Sequence, residues 1–156
     1  MTAGYIRVGA INNNESMAKV VKALVTLEVI NPSDYQKLVA GNDSGAVVLF
    51  SGDVRDHHGG KQVKSLTYEA HPTAQSVLEN VANEICQKHD VNQVALAHRH
   101  GEIPIGQCAF VVAVAASHRE AAFTACSELV DEVKHQIPIW KHQVFIDGTE
   151  EWVNFA

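Results

Sequence analysis

The sequence is poor in cysteine, and poorer still in cysteine pattern. Its three thiols, Cys86, Cys108 and Cys126, are odd in number and widely spaced, with no C-x-x-C pair. Neither a disulfide framework nor a structural zinc site is expected from them. No apolar run reaches the roughly 18 residues that a membrane span needs, and the N-terminus lacks the basic-then-apolar layout of a signal peptide. A cytoplasmic protein is the expectation, with no membrane contact. Cationic charge is also scarce: 12 Lys+Arg stand against 18 Asp+Glu, a formal charge of -6. That balance argues against a nucleic-acid or acidic-lipid surface. It leaves room for a small cationic pocket, because net charge says nothing about local field.

What is present is an ordinary globular composition. The 156 residues, 46% of them hydrophobic, suffice for one domain with a real core and exclude a disordered chain. Residues 1–24 read as an N-terminal extension, helix or disorder, and residues 25–156 as the domain. Val25 to Ile30 reads as a strand. Asn31-Pro32-Ser33-Asp34 then opens a short helix to Ala40, with Asn31 or Ser33 as its cap. The apolar run Ala46 to Ser51 and the alternating stretch Val63 to Ala70 flank a Gly59-Gly60 loop, which predicts a hairpin. Pro72 suits the first position of a helix running to His89.

Gln93 to His100 and Gln107 to Ala116 read as strands. Ser117-His118-Arg119-Glu120 matches a capping box. The helix it opens, His118 to His135, carries Phe123, Cys126, Val130 and Val133 on its inner stripe, and Pro138 stops it. Trp140 to Ile146, the Asp147-Gly148 turn and Glu151 to Phe155 form a terminal hairpin. This order of elements predicts an α+β fold with mixed, mainly antiparallel sheets.

Few residues stand out for chemistry. His118 and Arg119 sit at a helix N-terminus, where free N–H groups and the macrodipole favour an anion. Helical spacing turns Arg119 towards Cys126 and Val130, so it needs either a protein carboxylate or an anionic ligand. Lys134 lies at the border of the apolar stripe in the last helical turn, where a snorkelling stem explains it equally well. Lys141 follows the stiff run Ile137-Pro138-Ile139-Trp140, which would hold its ammonium in place. Arg55 ends an apolar strand, a position that often carries function. The nine histidines, His98, His100, His57 and His58 among them, show no metal-ligand spacing, and no metal is expected. The thiols look like passive core residues.

Five ordered segments, GAVVLFSGDVRDHHGG (Gly45 to Gly60), LTYEAHP (Leu66 to Pro72), AHRHGEIPIG (Ala97 to Gly106), ASHREAAF (Ala116 to Phe123) and DEVKHQIPIWKHQVFIDGTEEWV (Asp131 to Val153), resemble the large, catalytic subunit of molybdopterin synthase. The resemblance spans residues 25 to 155 and implies an α/β-hammerhead type of fold with an added β subdomain. It also implies a sulfurtransferase. Such an enzyme converts cyclic pyranopterin monophosphate into the dithiolene of molybdopterin, using a thiocarboxylate on the C-terminal Gly-Gly of a small ubiquitin-like partner subunit. A homodimer forms the core of a heterotetramer, and no cofactor is bound.

By the same resemblance Lys134 and Lys141 match catalytic positions, and Arg55, His118 and Arg119 match substrate-binding ones. Asp53, Val54, His142 and Gln143 are implied as pocket neighbours. The partner would bring the sulfur, so no cysteine of this chain is required. Two positions depart from the pattern: Asp53, where relatives carry a basic or neutral residue, and His100, where a small or apolar one is commoner. The competing readings are a non-catalytic module binding a phosphopterin or nucleotide, and a docking module for a ubiquitin-like partner.

Overall fold

A computed structural model describes residues 19–154. The chain runs β1 (Val20–Thr26), α1 (Pro32–Val39), β2 (Ala46–Asp53), β3 (His57–His58), β4 (Lys61–Ala70), α2 (Ala74–Lys88), β5 (Gln93–Arg99), β6 (Gly101–Glu102), β7 (Cys108–Ala116), α3 (Arg119–Gln136), β8 (Ile139–Phe145) and β9 (Glu150–Asn154). One sheet has the strand order β1-β5-β7-β2. β1 lies parallel to β5, and the other two pairings are antiparallel. The second sheet, β3-β4-β8-β9 with β6 on β4, is antiparallel throughout. The fold is therefore α+β, as the element order predicts.

β7 explains how the first sheet is covered. All nine of its residues are buried, which requires a layer on each face. Val94, Leu96, Phe110, Val112 and Val114 point into the larger core with α2 and α3. Ala95, Ala97, Ala113 and Ala115 point to the other face, where Tyr35 and Val39 of α1 meet them. The small side chains on that face let the short helix α1 approach closely. Asn31 caps it, its Oδ1 accepting from the Ser33 N–H at 3.2 Å.

Several local expectations fail for identifiable reasons. Residues 20–24, expected in a helix or in disorder, form most of β1, because β5 offers them a parallel partner. The strand expected over Val25 to Ile30 ends at Thr26, and Leu27 and Val29 beyond it are exposed. Residues 1–18 of the expected extension lie outside the described residues.

The expected hairpin of Ala46–Ser51 with Val63–Ala70 does not form. β2 pairs with β7 in one sheet and β4 with β8 in the other, and only His57–His58 folds back on Lys61–Gln62. Strand alternation shows which face is buried but does not name the neighbour. Pro72 stands before α2 rather than at its first turn, and Thr73 is the cap residue.

The capping box is also absent. His118 is the N-cap of α3 and makes no side-chain cap bond, while the Ser117 hydroxyl donates to the Asp43 carbonyl at 3.4 Å. Finally, Phe123 is 62% exposed; the inner face of α3 is Ala122, Ala125, Cys126, Leu129 and Val133.

The junction of β2 and α3 leaves no room for a side chain at Gly45. A Cβ there would lie 2.5 Å from the Ser117 carbonyl oxygen, a backbone atom that can move only with the helix start. Gly45→Ala is expected to destabilise the fold by about 1–3 kcal/mol, a typical overpacking penalty. Thermal unfolding would show it as a fall of several degrees, and an unchanged midpoint would refute the steric reading.

Candidate active site

α3 runs back along the sheet from the end of β7, and this direction sorts the cations into two groups. β2 is antiparallel to β7, with Ala46 opposite Ala116 and Asp53 opposite Cys108. The chain after β2 therefore emerges at the end of the sheet where β7 begins. Backbone bonds pin it there: the Val54 N–H donates to the Gln107 carbonyl at 3.0 Å, and the Gly106 N–H donates to the Val54 carbonyl at 2.8 Å. Val54 is buried, and Arg55 projects beyond it into solvent. The last turn of α3, which carries Lys134, returns to the same end. Ile137 and Ile139, both fully buried, then anchor the turn into β8, so Lys141 has a fixed backbone.

Arg55, Lys134 and Lys141 are thus brought together, and their fields overlap. Lys141 is half-buried, and its pKa is held below the ordinary lysine value. Burial is the main cause, and the charges of Arg55 and Lys134 add to it, against an opposing pull from Glu151. Lys134 itself is exposed rather than packed along the stripe border. Gln143 follows Lys141 on the same face of β8, is 2% exposed, and leaves its amide nitrogen without a partner among the described residues. A buried donor of this kind is a ready site for a ligand oxygen.

Other expected members lie elsewhere. His118 and Arg119 sit at the opposite end of α3, separated from Lys134 by about 22 Å of helix. Both are exposed, so Arg119 does not turn into the protein body as its helical spacing suggests. Arg119 is the first residue of α3, and the buried face of the helix begins one turn later at Ala122. His142 lies on the other face of β8, stacked on Trp152 at 4.4 Å with its Nε2 3.0 Å from a Glu150 carboxylate oxygen. Asp53 accepts from the Ser51 hydroxyl at 2.6 Å. Strand alternation turns it away from the buried Val54, and it does not contribute to the shift at Lys141.

Three residues near the cluster carry no pocket role in the sequence reading. Tyr68 is the cross-strand partner of Lys141, and burial pushes its phenol up to about 12. His98, 2% exposed, stacks on Phe110 and meets Tyr68 edge-on. Arg99 is 8% exposed, donates to Gln107 Oε1 at 2.7 Å, and has no acidic partner among the described residues. The signal in the sequence was the triplet His98-Arg99-His100 at the end of an apolar strand.

The thiols are quiescent. All three are buried and free. Burial raises Cys86 to about 12 and Cys126 to about 11, and it raises Cys108 as well. Each is therefore held as the weakly nucleophilic thiol near neutral pH. Among the described residues no group of three or more His, Cys, Asp or Glu could hold a metal ion, and no helix is long and apolar enough to cross a membrane.

Comparison with known proteins gives concordant matches. A family model described as MoaE protein matches residues 25–136. The molybdopterin synthase catalytic subunit of Aspergillus fumigatus is 38% identical over 129 residues, covering 82% of this chain and 69% of the relative. Molybdopterin synthase from Staphylococcus aureus superposes with a TM-score of 0.77 at 30% identity, covering 83% of this chain and 95% of that chain. A complex of subunits 1 and 2 of molybdopterin-converting factor from Helicobacter pylori superposes with a TM-score of 0.64. That match covers 85% of this chain and 88% of the other at 20% identity, a likeness of fold.

Proposed function

Since this chain belongs to the MoaE family of molybdopterin synthase catalytic subunits, and so has a role in molybdopterin biosynthesis, we propose that it carries sulfur from a thiocarboxylated small subunit onto cyclic pyranopterin monophosphate. The observation that carries this reading is the convergence of Arg55, Lys134 and Lys141 at one end of the sheet, with Lys141 electrostatically coupled to the other two. A cyclic phosphate is an anion, and so is a thiocarboxylate. Three cations beside a half-buried wall bind both and hold them against each other, which is the chief cost of a two-substrate reaction.

In this mechanism the partner's thiocarboxylate sulfur is the nucleophile, so no thiolate of this chain is called on. Lys134 neutralises the charge that develops as sulfur bonds to a side-chain carbon of the pterin and supplies a proton to the oxygen displaced there; water then cleaves the sulfur–acyl bond and frees the partner's carboxylate. Lys141 holds the phosphate. The amide of Gln143 offers a fixed donor to the substrate from the same face. The Helicobacter structure is named as a complex of both subunits, which supports a small partner of the same kind here.

His118 and Arg119 need a second copy of this chain. In a two-fold dimer they reach the lysine cluster of the neighbour, and the phosphate is then gripped by cations from both protomers. The test is reconstitution: purified chain, thiocarboxylated partner and cyclic pyranopterin monophosphate are expected to give a dithiolene carrying two sulfurs per pterin. Binding of the pterin without any sulfur incorporation would overturn the enzymatic reading in favour of a binding module.

A further inference from the structure

β2 is an unguarded edge of the first sheet. It ends the order β1-β5-β7-β2, and among the described residues nothing pairs with its outer side. Natural edge strands are protected by lysine, proline or a bulge. The eight residues Ala46–Asp53 contain neither lysine nor proline, and the one irregularity in their pairing falls at the far end, between Gly52 and Asp53. Alternation leaves Val47 and Leu49 more than a third exposed, on the face where Ala113 and Ala115 meet α1. α3 continues this apolar edge on the other face. α2 packs on β1, and α3 on β7 and β2. Glu128 marks the flank of α3 that meets α2, because it is bonded to Lys88 and His89 there. At 100° per residue, Arg119, Phe123, Val130 and Lys134 fall on the opposite flank, over the β2 edge, and Phe123 is exposed there.

The two ends of this edge carry different parts of the site. Ala46 opens β2 opposite Ala116, just before His118 and Arg119, whereas Asp53 closes it two residues before Arg55. A reversed copy of the same edge completes it. A two-fold axis through the middle of β2 sets the start of one strand against the end of the other. Side chains directly opposite in a sheet point the same way, so the register centres on Leu49 or Phe50. Neighbouring strands lie about 4.8 Å apart. The same axis therefore lays the two α3 helices antiparallel at roughly 10 Å, an ordinary helix-packing distance. His118 and Arg119 then stand beside the second copy's Arg55 and Lys134, rather than a helix length from their own Lys134.

We propose that the β2 edge is the docking surface for a second copy of this chain: the two β2 strands pair antiparallel across a two-fold axis and join two four-stranded sheets into one of eight. Phe123 and Val130 of both α3 helices cover one face of the seam, and Val47 and Leu49 of both strands cover the other. A second copy fits because the free backbone groups of the strand are self-complementary under that axis. Its apolar rows meet like rows, and the only charge on the strand, Asp53, lies at the end of the seam. This deepens the reading of a site shared between protomers and rests on it.

Leu49→Cys gives the direct test. In the full chain a short bis-maleimide is expected to link it to a second copy, at twice 17.0 kDa, because the two positions face each other near the axis. The three native thiols are buried and do not compete. Lys22→Cys on β1, the opposite edge of the sheet, is expected to stay unlinked. Leu49→Glu sets like charges against each other at the seam and is expected to weaken the pair by roughly a hundredfold or more. It then sediments at 17.0 kDa and loses turnover with thiocarboxylated partner in parallel, because each site lacks the second copy's His118 and Arg119. A Leu49→Glu protein that stays dimeric and active overturns β2 as the interface. So does a dimeric Leu49→Cys protein that stays unlinked, whether residues 1–18 or another segment covers the edge. Recovery of activity in mixed Lys134→Ala and Arg119→Ala dimers would then still support a shared site. A wild-type chain that is monomeric and fully active overturns the shared site itself.

Discussion

Lys134→Ala is expected to lower kcat for sulfur transfer by two to four orders of magnitude, roughly the range measured for a lost proton donor at a reacting group. The structure makes the test clean. Lys134 is exposed and takes part in no ion pair among the described residues, so its removal is expected to change stability by no more than about 0.5 kcal/mol. A loss of turnover with an unchanged unfolding curve therefore reports chemistry. Lys141→Ala is expected to act differently. Lys141 is half-buried and its ammonium is destabilised by burial and by Arg55 and Lys134. Removing it weakens the phosphate grip, and the loss is expected to appear mainly in KM. Near-normal turnover in Lys134→Ala, measured with saturating thiocarboxylated partner, refutes the assignment.

Mixed dimers give the second large effect. Lys134→Ala and Arg119→Ala are each expected to be nearly inactive alone, because every site in either homodimer lacks one essential cation. When the two are unfolded together and refolded, half of the randomly paired dimers combine one doubly defective site with one intact site. Activity is then expected to return to roughly a quarter of wild type, as two-fold symmetry dictates. The basis is the separation of the two residues by about 22 Å along α3, too far for one pocket within a single chain. No recovery on mixing, with dimer exchange verified by mass, would show that His118 and Arg119 do not serve a neighbour's site.

The lysine pair came from the resemblance, because local spacing explained Lys134 equally well as a snorkelling stem and showed Lys141 only as a lysine after a stiff run. Asp147-Gly148, by contrast, dictated the β8–β9 hairpin, with Gly148 at φ +85°. Arg119 stays exposed because it is the first residue of α3, ahead of the buried stretch that begins at Ala122, and helical spacing does not show where the core ends. Phe123 misled for a related reason: an apolar residue at helical spacing reads as core, yet α3 buries the neighbouring Ala122 instead.

By itself, the sequence determined which segments alternate or repeat at helical spacing, that the thiols form no disulfide or zinc-ligand pattern, and which five basic residues deserve attention. Those are properties of local spacing and side-chain chemistry. Tertiary structure decided which strands pair, and so sent β2 and β4 to different sheets. It also divided the five basic residues between the two ends of α3, and buried His98 against Phe110 and Tyr68. Pairing and direction depend on neighbours distant along the chain, and no local pattern specifies which neighbour arrives.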